Sequence, residues 1–137
     1  MQERLRMLSF AEDTFNLGST HNWETLYADS PPAVSLFCAY RAATMHRTLE
    51  EYEEAERWHR KALEVDPNFI PSLVDLAELA RLRDDDEQDL ELLTRAWMID
   101  PTSWRLRSHL EYRPGLVDEL EWRALEAVDA SREAEEN

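Results

Sequence analysis

The sequence predicts an all-α fold built of antiparallel helix pairs, and three observations carry that prediction. Apolar residues recur at helical spacing along the whole chain. Glycine occurs only 2 times in 137 residues, too rarely for a turn-rich β fold or a glycine-rich phosphate loop. The breaks Val65-Asp66-Pro67 and Ile99-Asp100-Pro101 lie 34 residues apart, with Ala62-Leu63 and Ala96-Trp97 at the same offset. Such a period belongs to a repeated helix-turn-helix unit.

The elements follow in order. Residues 4–17 place Leu8, Ala11 and Phe15 on one face, with Met7 beside them, and Gly18 stops this helix. Residues 22–28 predict a short helix capped by Asn22 and broken by Ser30-Pro31-Pro32. Residues 33–48 are apolar on nearly all sides, so a central helix is expected there. Residues 51–65 are sharply amphipathic, with Glu53–Arg57 and Glu56–Arg60 spaced as i,i+4 pairs on the wet side. A helix over 70–83 starts anew with Pro71 in its first turn. The run Asp84-Asp85-Asp86-Glu87 reads as a solvated turn whose acids favour the positive start of the next helix, 87–99. It lacks the glycine and distal glutamate of a calcium loop. A short helix over 103–112, a break at Pro114-Gly115 and a helix over 116–130 complete about eight helices. The last carries the stripe Leu116, Leu120, Ala124, Ala127 and Val128, and residues 132–137 are expected to fray.

Composition narrows the function classes. Asp and Glu number 30 against 15 Lys and Arg, a net charge of −15, which opposes binding to nucleic acid or an anionic membrane. Of the basic residues, Lys61 is the one lysine. No apolar run approaches the roughly 18 residues that span a bilayer, and MQERLRML is not an apolar signal segment. One cysteine excludes an intramolecular disulfide and suits a reducing compartment, so a cytoplasmic protein is expected.

Residues 36–69 resemble the tetratricopeptide repeat (TPR) family. The resemblance rests on Tyr52-Glu53-Glu54-Ala55, Trp58-His59 and Lys61-Ala62-Leu63-Glu64-Val65-Asp66-Pro67-Asn68. Ala55 and Ala62 are small where helices must approach closely. Residues 70–103 form a second copy, with Leu73, Leu76, Ala77, Ala80, Ala96 and Pro101 in matching places and Asp89 where a small residue is expected. The likeness is clear over 36–103. Residues 1–32 and 104–131 read as degenerate pairs, completing one domain over 1–131, and such ends can cap a solenoid.

The resemblance implies a superhelix whose first helices line a concave groove for a peptide or a partner's helix. By position that groove comprises Phe37, Tyr40, Arg41, Thr44, Arg47 and Thr48, then Val74, Asp75, Glu78, Arg81 and Leu82, then Arg105, Ser108, His109 and Tyr112. Aromatics offer contact area at small entropic cost, and arginine grips a carboxylate with two hydrogen bonds. Chaperone-binding members of the family clamp a C-terminal carboxylate with Lys, Asn and Arg. The matching positions here carry Tyr40, Thr44, Asp75, Arg105 and His109, of which only Arg105 fits, so that clamp is not expected.

Other constellations favour packing over chemistry. His46 and His59 fall where the family places facing core aromatics, and two neutral rings are expected rather than a proton switch or metal pair. His21, His46, His59 and His109 form no metal-ligand motif. Cys38 sits among apolar residues, as a structural thiol does. No carboxylate pair is marked for acid–base work. Trp58, Trp97 and Trp104 fall at repeat positions and are expected in the core, whereas Trp122 and Trp23 are expected to pack on a neighbouring helix.

The expected function is a non-enzymatic protein-interaction module without cofactor or metal, with homo-oligomerisation left open. Two alternatives stand beside it: a small acidic secretion-type chaperone holding an export substrate, and an acidic decoy of a nucleic-acid-binding protein.

Overall fold

A computed structural model describes residues 20–28 and 30–136. The expected helix over 4–17 lies outside the described residues. Within them the chain is all-α, with seven helices. These are α1 (Thr20–Ala28), α2 (Pro32–Thr48), α3 (Tyr52–Val65), α4 (Ile70–Leu82), α5 (Asp86–Ile99), α6 (Trp104–Leu110) and α7 (Leu116–Glu136). No described helix is long and apolar enough to cross a membrane. The chain divides into two compact units, Met1–Ser72 and Leu73–Asn137.

In the first unit α1 packs on α2, and α2 on α3. Helix α1 begins at Thr20, so Asn22 is inside it rather than at its cap; propagating a helix costs less than starting one. Pro31 and Pro32 open α2, where a missing N–H loses nothing. The buried Ser35 hydroxyl lies 3.1 Å from the Tyr27 carbonyl and 2.9 Å from that of Ser30, tying α1 to α2. The core joins Trp23, Leu26, Val34, Cys38, Ala39, Ala42, Ala43, Trp58 and Ala62. The alanines let the helix backbones approach, and the two indoles fill the remaining volume. Tyr27 meets Trp58 edge-on at 5.3 Å. The Lys61 ammonium lies 5.5 Å from the Tyr27 ring and 5.3 Å from that of Trp58. On the wet side Arg60 pairs with Glu56 as expected, but Arg57 turns to Glu54 at 2.8 Å, one turn back along the same face, while lying over the Trp58 ring. Burial pushes the Cys38 thiol up to about 11, so it stays protonated and inert.

In the second unit α5 packs on α7 and on α6. Its interior holds Leu73, Val74, Leu76, Ala77, Ala80, Leu92, Leu93, Ala96, Leu106, Leu110 and Leu120. The Asp85 carboxylate accepts the Gln88 N–H and caps α5, with Asp86, Glu87 and Asp89 in its first turn. The acidic run is therefore a helix start, as its composition suggested. Helix α7 runs past residue 130 to Glu136 and is engaged over its first half. Leu120 is buried and Leu116 and Ala124 are half-buried, while Ala127 and Val128 are exposed.

The 34-residue period holds in the backbone. Helices α3 and α5 start 34 residues apart, at Tyr52 and Asp86, and end 34 apart, at Val65 and Ile99. Helices α2 and α4 end at Thr48 and Leu82, again 34 apart. Glu50 and Asp84 both have φ 61° in the turns that follow. Asp66 and Asp100 each accept the N–H two residues on. Helix α6 begins on the same period but stops at Leu110, giving the shortened third pair.

Candidate partner-binding cleft

Two faces of the second unit meet at a cleft of about 400 Å³ lined by Glu78, Arg81, Arg105, Ser108, His109, Tyr112 and Arg113. Glu78 and Arg81 stand one turn apart on α4. Arg105, Ser108 and His109 share a face of α6, and Tyr112 follows at its end. Six of the seven are residues the sequence placed in the groove.

Three guanidiniums dominate the cleft, and each has a carboxylate. Arg105 pairs with Asp75. Arg113 holds Asp89 with both ends, Nη1 to Oδ1 at 3.0 Å and Nη2 to Oδ2 at 2.7 Å. That fork raises the Arg113 pKa further above its ordinary value. Arg81 has the loosest partner: Glu78 at 3.5 Å, with both side chains well exposed. A pair of that kind is worth about 0–1 kcal/mol, so Arg81 can exchange Glu78 for an incoming carboxylate at little cost.

His109 accepts from Arg113 Nη1 at 3.3 Å through its Nε2, which places its proton on Nδ1. Burial, and then the Arg113 charge, hold its pKa below the usual histidine value. It is a neutral ring in the cleft wall at pH 7. Tyr112 stands 85% exposed at the rim, a rigid aromatic free to cover a ligand.

Arg113 was missed by position in the repeat, yet a signal existed. Asp89 stands 34 residues after the fully buried Ala55 and is itself only 2% exposed, and a buried carboxylate demands a cation. At this place, where a small residue is expected, the helical register holds and Arg113 compensates the charge. Val74 is corrected. It is fully buried and belongs to the core rather than to a contact surface. Asp75 does not stand as an open negative charge, because Arg105 covers it. Leu82 is half-exposed beyond the cleft lining.

The first unit's expected groove residues do share one face of α2, but α1 lies against part of it. Trp23 meets Phe37 edge-on at 5.5 Å, and the Arg41 guanidinium lies 5.6 Å from the Trp23 ring centre. Tyr40 packs against His59 and Phe69 at 5.8 and 5.5 Å. Thr44 bonds back to the Arg41 carbonyl at 2.9 Å, and Arg47 lies over Tyr52 at 5.0 Å. These side chains spend much of their surface within the fold; Phe37 keeps 42% of its own exposed and Thr48 is exposed. A second cavity of about 430 Å³, between Tyr27, Ser30, Ser35 and Glu64, contains none of the expected residues.

The two core histidines have separate partners. His59 Nδ1 lies 2.9 Å from the Ser72 hydroxyl, whereas His46 faces Glu24 and Glu51. Trp23 and Trp58 are buried as packing elements, but Trp104, expected in the core, is 80% exposed. It is the first residue of α6, where only Leu106 and Leu110 turn inward. Trp97 lies under Arg107, 4.7 Å away.

No protein-family model matches the chain, and no curated protein matches it significantly.

Proposed function

We propose that the chain is a non-enzymatic, TPR-like interaction module whose second unit receives an acidic peptide or helix of a protein partner. The observation that carries this reading is the guanidinium-lined cleft with one loosely held arginine, Arg81, beside the exposed Tyr112. Three arginines matched by three carboxylates leave the cleft near neutral, so an acidic ligand meets less repulsion there than the net charge of −15 implies. Tyr112 would supply buried area and Arg81 a two-pronged grip on a carboxylate. The reading sets the module in the cytoplasm, where a single reduced cysteine such as Cys38 is at home.

Affinity capture with the intact chain identifies the partner, and a titration then tests the site. Arg81→Ala with Tyr112→Ala should weaken binding by about 2 kcal/mol or more while leaving the helical signal intact. Glu53→Ala with Glu56→Ala, on the wet side of α3, should change affinity little. Binding that survives the first pair and is lost with the second would overturn the cleft in favour of a carboxylate-bearing surface that mimics phosphates.

A further inference from the structure

Away from the cleft, three helices of the first unit bring unlike donors together. Glu24 of α1, His46 of α2 and Glu54 of α3 each offer one atom, and these atoms all lie within 4.8 Å of one another. The His46 side chain is 8% exposed. Its Nε2 lies 2.7 Å from Glu24 Oε1, and its Nδ1 lies 3.2 Å from Glu51 Oε1.

This arrangement has a simple electrostatic requirement. A neutral imidazole has one N–H and one lone pair. With a carboxylate on each nitrogen, one contact sets a lone pair against an anion unless a cation lies between them. A proton on the second nitrogen would also meet the requirement, but it would leave Glu54 serving Arg57 alone. A metal ion uses all three donors. Glu51 then has the role of the outer carboxylate common beside metal-bound histidines: it accepts the Nδ1 proton and turns the Nε2 lone pair inward. The charges agree. Glu24, Glu51 and Glu54 carry three negative charges, and Arg57, bonded to Glu54 at 2.8 Å, returns one. A divalent cation neutralises the remainder.

We propose that Glu24, His46 and Glu54 form a binding site for a divalent transition-metal ion of the zinc type, with Glu51 as a positioning residue. One nitrogen and two carboxylate oxygens are a donor set that zinc accepts, with a fourth position left for water. His46 Nε2 and Glu24 Oε1, 2.7 Å apart, would open by several tenths of an ångström to admit metal bonds of about 2.0–2.2 Å. The site draws one ligand from each of α1, α2 and α3, so occupancy would fasten α1 to the α2–α3 pair.

The test is a zinc titration of the full chain at pH 7.5 against a chromophoric chelator, after prior metal removal. Cobalt absorption and ¹⁵N NMR of the histidine rings accompany it. One tight equivalent is expected, with a metal-induced shift at His46 Nε2 and a rise in melting temperature. Glu24→Gln, His46→Gln and Glu54→Gln should each lower the affinity at least tenfold, and Glu51→Gln by less. Glu53→Gln, on an exposed neighbour outside the cluster, should leave it unchanged. Glu54 is 45% exposed at its side chain, so its variant keeps the test valid even if the buried His46→Gln fails to fold. Zinc affinity unaltered by Glu24→Gln and Glu54→Gln would overturn the proposal. So would two protonated His46 ring nitrogens in the presence of zinc.

Discussion

Asp89 and Ala55 hold the same place one period apart, and both are buried. The alanine lets its helix approach a neighbour. The aspartate achieves the same burial only because Arg113 closes both its oxygens. Asp89→Ala should therefore cost more than a lost contact, since Arg113, itself only 17% exposed, is left without its counter-ion. A loss of about 2–4 kcal/mol is expected by urea denaturation. Asp89→Leu with Arg113→Met should recover most of it, because two apolar side chains leave no buried charge. Equal losses in the single and double variants would show that the pair contributes nothing as a pair. His109 gives a second expectation at this scale. Burial and Arg113 depress its folded pKa, so the unfolded chain takes up a proton that the fold resists. Its contribution is complete above the unfolded value near 6.5 and declines as pH falls through it toward the lower folded value. His109→Gln should flatten the fall in melting temperature between about pH 7 and pH 5. A slope unchanged from the parent chain would place the acid loss elsewhere.

The helix ends show how much of each element was legible. Proline breaks, the acidic start of α5 and the 34-residue period all act through local backbone chemistry, which a sequence displays directly. The turns after α2 and α4 are less visible. Glu50 N–H reaches the Arg47 carbonyl and Glu51 N–H that of His46; Asp84 and Asp85 repeat this with Arg81 and Ala80. Each is a Schellman closure, whose left-handed residue is usually glycine. Here glutamate and aspartate stand there at φ 61°, so the signal ordinarily used to find such an end is missing. Glu50→Gly should relieve the crowded Cβ and stabilise by about 0.5–1 kcal/mol, net of the added freedom of the unfolded chain. A lower melting temperature in that variant would mean the Glu50 side chain contributes more than its backbone costs. At the other end α7 continues to Glu136 because its last residues, rich in Ala and Glu, are strong helix formers.

At the scale of the whole molecule, charge was the clearest message and its distribution the least clear. Net charge is additive and needs no fold. The pairing of Asp75 with Arg105, 30 residues away, needs the fold, and so does that of Asp89 with Arg113. Repeat position points to six of the cleft-lining residues and misses Arg113, and it says nothing of their mutual neutralisation. A net charge of −15 also predicts self-repulsion that salt can screen. Raising sodium chloride from about 20 to 300 mM shortens the screening length and should raise the melting temperature by about 3–5 °C. A fall over that range would mean that the arginine–carboxylate pairs outweigh the general repulsion.

The placement of Lys61 has a consequence for covalent chemistry. It is the one lysine of the chain, and its ammonium lies beside both the Tyr27 and the Trp58 rings. Acylation of lysine side chains can therefore act at a single address, and that address adjoins the core. An acyl group there would remove the cation from both rings at once, whereas methylation would keep the charge in place. A tag joined through this side chain reports directly on the packing of α1 against α3.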